Sequence, residues 1–352
     1  MLLTRYCLRW VNERDQANEC NPSGHITLHK IRLECFQNNT VFSNGFVRRV
    51  ASALPSMAKE LGEALDPQWA EIALKLDPLP TVLTNGTASC AFDPPREVIV
   101  LAGNYTGAMQ PHSACKGVCC TFQCGTRQCN SSCGAQVAGD GMMDVMAWPV
   151  FPGEAISLAS PESLQQTVRD TLQLSSEWAQ GNSFCSIFSQ AARVRMPVEL
   201  WVPEMRAVID KASLTSMIIY QNGGGMEVAG ALQTIADLML QSVTVPGVSG
   251  ETYMALFPLN ASFSDLRFTR LRGKGAFVVS AAWSAATDRL DAAVAIESER
   301  GSKCSLELPP GHRASDGLVV TDSAGKAVAT TRAEGRWNFA TRAGETYKVV
   351  VS

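Results

Sequence analysis

The chain has 352 residues, 46% of them apolar and 18% charged. This is longer than one hydrophobic core usually serves, so one large unit with a smaller appendage is expected, and the apolar share excludes wholesale disorder. A formal net charge of -3 with no long basic run gives nucleic acid no electrostatic footprint, and a neutral polar ligand suits the chain better than a polyanion.

No stretch approaches the roughly 18 consecutive apolar residues that cross a bilayer. Arg5 and Arg9 interrupt the opening segment too early for a signal-peptide core. Cysteine usage points instead to an oxidised compartment. Cys115, Cys119, Cys120, Cys124, Cys129 and Cys133 crowd one segment, and Cys7, Cys20, Cys35, Cys90, Cys185 and Cys304 are scattered. Glycan acceptor sequons begin at Asn38, Asn85, Asn104, Asn130 and Asn260. The two signals reconcile if the full-length protein is secretory or extracellular and its amino-terminal part, signal included, precedes this chain.

Residues 1–35 show no clean period and form a poorly defined lead-in. From Asn44 the apolar residues Phe46, Val50, Leu54, Met57 and Leu61 recur every three or four positions and predict one buried helix face, bent at Pro55. Asp66-Pro67 supplies an N-cap and a first-turn proline for a second helix that buries Trp69, Ile72 and Leu76. Residues 77–110 read as a long loop with a short strand near Val98-Leu101. The cysteine cluster, an insertion near 111–135, favours disulfides, or no bonding function, over zinc, because such thiol spacings are common by chance and no histidine lies between its cysteines.

Ser160-Pro161-Glu162 starts another helix, with Leu164, Val168, Leu172, Ser175 and Trp178 as its stripe and Gly181 as its stop. Phe184 to Val194 predicts a further helix, and Pro203-Glu204 opens a shorter one. After Asn222-Gly223-Gly224-Gly225, the segment Met226 to Gln241 is apolar nearly all round, which places it at the heart of a packed assembly. Near 245–260 the period shifts from four to two, and eight short segments from Tyr253 to Val351 predict antiparallel β structure.

Three segments combine polar groups with glycine or aromatic residues in a way that suits a sugar. In Tyr220 to Val228, glycines let backbone approach a ligand, and Glu227 sits in the first turn of a helix, where the helix field favours a carboxylate; an ordinary first-turn glutamate has the same signature. In Ala147 to Glu154, Trp148 and Phe151 offer flat apolar surfaces and Glu154 an acceptor, although aromatic rings mostly serve the core. In Trp178 to Phe184, Gln180 and Asn182 can donate to sugar hydroxyls, or Gly181 and Asn182 simply mark a helix boundary. A glycosidase also needs a proton donor, for which Glu34 is a candidate. The histidines show no metal-ligand spacing, and neither a nucleophile elbow nor a phosphate-binding glycine loop occurs, so no cofactor or metal is expected.

These segments resemble glycoside hydrolase family 95, the α-L-fucosidase and α-L-galactosidase family. The resemblance rests on Asn38-Asn39-Thr40 leading into Phe46-Val47-Arg48-Arg49, on Trp148 to Gly153, and on Gln180 to Phe184. It is most specific from Asn222 through Glu227 to Leu238-Met239-Leu240-Gln241-Ser242, then Ala255 to Pro258 and Leu271 to Val279. It implies a chain that is mainly α with a C-terminal β domain: a partial (α/α)6 barrel over 36–250, then an antiparallel β-sandwich-like module over 251–352. It also implies inverting hydrolysis by a glutamate acid and an aspartate base assisted by asparagines. An ungapped count places the family's aspartate at Met226, so the adjacent Glu227 takes the base role and Glu34 the acid role. Asn222, Trp148, Gln180 and Asn182 would bind an oligosaccharide or glycan. The competing expectations are an inactive carbohydrate-binding or scaffold protein of the same ancestry, and a cysteine cluster that binds metal or a protein partner.

Overall fold

The computed structural model describes residues 37–76, 78–83, 96–99, 102–105, 147–173, 186–212, 227–246, 250–259, 265–310 and 317–351. Helices occupy its N-terminal part and sheets its C-terminal part, a mixed architecture of six described helices followed by two large sheets. Glu34, Asn222, Gln180, Asn182, the cysteine cluster and the lead-in lie outside the described residues.

Strand β1 (Gln37–Thr40) runs directly into helix α1 (Val41–Leu61), and helix α2 (Pro67–Lys75) packs against α1. Asp66 caps α2 as its sequence predicts, accepting from the Gln68 amide at 2.9 Å. The buried face of α1 is the reverse of the expected one. Val50, Met57 and Leu61 are half or more exposed, while Ala51 and Ala58 are buried and Ala51 packs on Ile72 and Leu76 of α2. Small residues let the two helices approach closely, and the Arg48 guanidinium then reaches the carbonyl of Leu76 at the end of α2, at 3.1 Å.

Strands β2 (Thr81–Leu83) and β3 (Glu97–Ile99) form one antiparallel pair, and β1 forms another with β4 (Ala102–Tyr105). A tight run of turns at Ala147–Ser160 leads into α3 (Glu162–Gln173), followed by α4 (Ile187–Arg193) and α5 (Val198–Ala212). Helix α5 begins before the expected Pro203 and carries that proline inside it. Burial of Trp201, whose indole N–H donates to the Met196 carbonyl at 3.1 Å, together with Met205 offsets the lost backbone bond. Val41, Ile99, Val150, Ile156, Val168, Leu172, Phe188 and Trp201 belong to one core shared by these elements.

Helix α6 (Glu227–Met239) passes without a linker into β5 (Leu240–Thr244), so the helix-to-strand change falls earlier than the sequence period suggests. Strands β6 (Thr252–Leu256), β7 (Leu266–Gly273), β8 (Phe277–Ser284), β9 (Arg289–Leu290), β10 (Val294–Ser298) and β11 (Cys304–Glu307) follow. The chain closes with β12 (Leu318–Thr321), β13 (Ala327–Val328), β14 (Thr330–Ala333), β15 (Arg336–Phe339) and β16 (Glu345–Val351). One sheet has the order β13-β12-β16-β10-β8-β7 with β9 beside β8; the other has β14-β15-β11-β6-β5.

Both sheets contribute to one core containing Met254, Leu256, Phe257, Trp283, Ile296, Leu306, Phe339 and Val349. Pairing is antiparallel throughout except between β6 and β11, which run parallel, a departure from the antiparallel expectation. The hairpin β7–β8 and strand β10 go to the opposite sheet, so β11 returns beside β6 in the same direction. Cys304 is a free thiol inside this core, and burial pushes its pKa up to about 12.

Candidate functional site

The best-defined polar cluster forms where the turn segment before α3 meets the five-stranded sheet. Backbone bonds wind that segment tightly: Gly153 N–H donates to the Trp148 carbonyl at 2.8 Å, and Ala155 N–H to the Pro149 carbonyl at 2.7 Å. A Cβ on Gly153 would lie 2.6 Å from the Trp148 carbonyl oxygen, so the turn requires glycine there. The next residue, Glu154, is held at φ +52°, an unfavourable backbone for a side-chain-bearing residue that persists only where its surroundings enforce it.

That conformation accompanies a carboxylate set among three cations. Arg49 from α1 approaches Glu154 at 3.4 Å and Arg193 from the end of α4 at 3.6 Å, while the Lys274 ammonium, from the β7–β8 turn, hydrogen-bonds to it directly. The Thr244 hydroxyl at the end of β5 donates to Glu154 at 3.1 Å and lies 2.7 Å from Lys274 Nζ. Arg193 is shared: its Nε donates to Asp237 of α6 at 2.9 Å, its NH2 group to the other oxygen at 3.2 Å, and its guanidinium covers the Phe151 ring at 4.5 Å. Two carboxylates and three cations thus join α1, α4, α6, the turn segment and the β7–β8 turn.

Burial by itself would raise the Glu154 carboxyl. The hydrogen bond and charge of Lys274, then Arg193 and Arg49, outweigh it and bring the pKa below its usual value. Burial dominates at Asp237 and raises its pKa against the opposing charge of Arg193. Burial likewise lowers the Lys274 ammonium, against the support of Glu154. The cleft beside Glu154 is narrow, with about 20 Å3, room for about one water molecule. A sugar ring does not fit there. Glu154, read from sequence as an acceptor for a pyranose, is therefore committed to a structural charge hub.

Of the expected site residues, Trp148 and Glu227 fall within the described chain. Glu227 is the first residue of α6. Trp148 is half-buried at the edge of the helical core, its ring edge-on to Phe46 with centroids 6.2 Å apart and planes at 71°. Sequence reasoning missed Arg49, Arg193, Asp237 and Lys274. One signal was present: Asp237 is the single charge in the later turns of an otherwise apolar helix, and a buried charge demands a partner.

Larger hollows lie on the β part. One of about 290 Å3 lies where the turn segment meets the sheet, between Leu158-Ala159 and Tyr253, Glu307 and Arg336; there Arg195 pairs with Glu307 and Arg336 pairs with both Glu334 and Glu251. Burial, together with the charge of Glu307, raises the pKa of Tyr253, so its hydroxyl stays protonated. Another hollow, of about 450 Å3, opens at the end of the sheet where β6 and β11 begin. Among the described residues no group of three or more His, Cys, Asp or Glu could hold a metal, and no helix is long and apolar enough to cross a membrane. No protein-family profile and no curated protein matches the chain.

Proposed function

We propose that the chain is the C-terminal part of an inverting α-glycosidase similar to glycoside hydrolase family 95, acting on α-L-fucosides or α-L-galactosides of a glycan in the secretory route. In this reading the helices form part of an (α/α)6 barrel, and the two sheets form the sandwich-like module that follows it. The observation that carries it is the coincidence of motif order with element order. The most specific run of the resemblance, from Asn222 to Val279, spans the opening of α6, its passage into β5, strand β6, and the hairpin of β7 and β8 closed by Lys274-Gly275-Ala276.

Glu227 at the start of α6 is the general base in this proposal, since the helix field there favours an ionised carboxylate. Glu34 protonates the leaving oxygen, with the two carboxyls separated by the roughly 6.5–9.5 Å that admits a water in an inverting site. Asn222, Gln180, Asn182 and Trp148 bind the sugar. In the complete protein, Glu227→Gln should lower kcat on an aryl α-L-fucoside or α-L-galactoside by about 10²–10⁴-fold. An unchanged rate would remove the base from the mechanism.

A second reading, a carbohydrate-binding or scaffold protein without hydrolysis, is favoured by the position of the largest of these hollows, which residues of the β part line. Saturable glycan binding by the complete protein, with no product released at neutral or acidic pH, would select it.

A further inference from the structure

We infer that the hollow at the open end of the five-stranded sheet is a binding site for a carboxylated monosaccharide, a hexuronate, independent of any hydrolysis by the helical part. Its volume of about 450 Å3 falls within the roughly 300–1,000 Å3 of small-molecule sites.

Strand periodicity makes the floor polar. On β11, Cys304 and Leu306 enter the core, so Ser305 between them faces away from it; on β15, Phe339 and Trp337 pack on the core, so Asn338 faces away. Ser305 and Asn338 are direct cross-strand partners, and their side chains therefore stand side by side on the same face. The Asn338 amide nitrogen donates to the Arg336 carbonyl at 3.3 Å, which leaves its oxygen free to accept from a ligand hydroxyl. The Ser305 hydroxyl can donate or accept beside it.

The hollow wraps the end of the sheet, and on the core side it is bordered by the β7–β8 turn, fixed by the Lys274 amide donating to Ser242 Oγ at 2.9 Å. Gly275 in that turn has φ +86°, and a Cβ there would press on the Phe277 ring at 2.8 Å. The opposite rim is braced as well: Gly301 N–H donates to Ser298 Oγ at 3.1 Å, and the Thr341 hydroxyl donates to the Ser302 carbonyl. A hollow on braced strands and turns needs little reorganisation to bind.

Charge selects the ligand. Lys274 lines the hollow, but its ammonium is spent on Glu154 and Thr244. Glu251 at the rim is held by Arg336 at 3.2 Å. Lys303, exposed and without an ion pair among the described residues, is the rim charge left without a counter-ion. An ammonium beside neutral hydroxyl and amide groups matches one carboxylate on a polyhydroxylated ring.

Titration calorimetry of the full chain with D-galacturonate and D-glucuronate, up to about 50 mM, tests the site. At least one uronate should bind saturably. Lys303→Glu should weaken it by about tenfold or more, and D-galactose and D-glucose should bind more weakly than the acids by a similar factor. Lys303 is exposed, so its replacement leaves the fold intact, and Ser305→Tyr, which fills the floor, should abolish binding independently. Absence of saturable uronate binding, equal binding by Lys303→Glu, or neutral sugars binding as well as the acids would overturn the inference. Glu227→Gln should leave uronate affinity unchanged, so failure of this site and failure of the proposed hydrolysis are separately visible.

Discussion

At the scale of single residues the molecule is governed by where charges are buried. Glu154 sits in a strained backbone conformation and gathers Arg49, Arg193 and Lys274 around one carboxylate. Its replacement by glutamine would leave those cations with Asp237 as their one close carboxylate partner among the described residues, and Glu154→Gln should cost about 2–3 kcal/mol in urea unfolding at neutral pH. The pH dependence has a definite sign. The carboxyl is depressed in the folded state from its usual value of 4.5, so its stabilisation is complete above that value and is lost as pH falls through the lower folded value. The stability difference between the native protein and Glu154→Gln should therefore be flat from neutrality down to about pH 5 and shrink below it. A difference that grew on acidification would contradict the charge hub. Asp237, raised by burial, acts in the opposite sense in both proteins. The sequence exposed half of this arrangement. A lone aspartate in an apolar helix announces a hidden partner, whereas Arg49, Arg193 and Lys274 are distant in sequence and nothing in their local context assigns them to Glu154.

Among the elements, those legible in advance carried a local chemical signature. The Asp66 cap, the β3 segment and the regular alternation of the later strands all appear close to where composition and period put them. Helix α1 was legible in position but not in facing, because two apolar stripes compete along it and bulk alone favours the wrong one. Contact with α2 selects the small residues Ala51 and Ala58, a tertiary choice that no hydrophobic period contains. Strand β5 was hidden for a similar reason: Leu240-Gln241-Ser242 continues the helical pattern, and pairing with β6 from Leu240–Leu256 to Thr244–Thr252 converts it to strand.

Turns show the same division between local and tertiary causes, and two glycines separate them experimentally. Gly325 has φ +76° with nothing near a prospective Cβ, so Gly325→Ala should cost only the backbone penalty, about 1 kcal/mol. Gly275 has a similar φ but faces the buried Phe277 ring, and Gly275→Ala should cost about 2–3 kcal/mol. Urea midpoints of the two variants measure the difference; equal losses would show that the Phe277 ring moves aside freely.

For the whole molecule the decisive feature is that the helical and sheet parts share more than a peptide bond. Gln241 of β5 donates to the carbonyls of Ala192 and Asp237, both at 3.0 Å, and Ser157 donates to the Thr244 carbonyl at 2.7 Å. Leu158, from the turn before α3, is buried against Val243, Tyr253 and Ala255 on the sheet face that points away from the β core. A sheet face covered this way is stable only while the helical part remains in place, so the two parts should unfold together, with helical ellipticity and the exchange protection of the sheet amides lost in one transition. Leu158→Ala removes apolar contact from the junction without touching either main core, and should cost about 2–4 kcal/mol. Because the loss falls on the coupling itself, the two probes should then separate, the helical signal melting at lower urea. Val320→Ala, buried in the β core, should destabilise the sheets by about 1–3 kcal/mol and leave the junction contacts in place. If Leu158→Ala left the two signals superimposed, the cohesion of the two parts would reside in the Glu154 hub and the backbone bonds of β5 and not in the apolar seam.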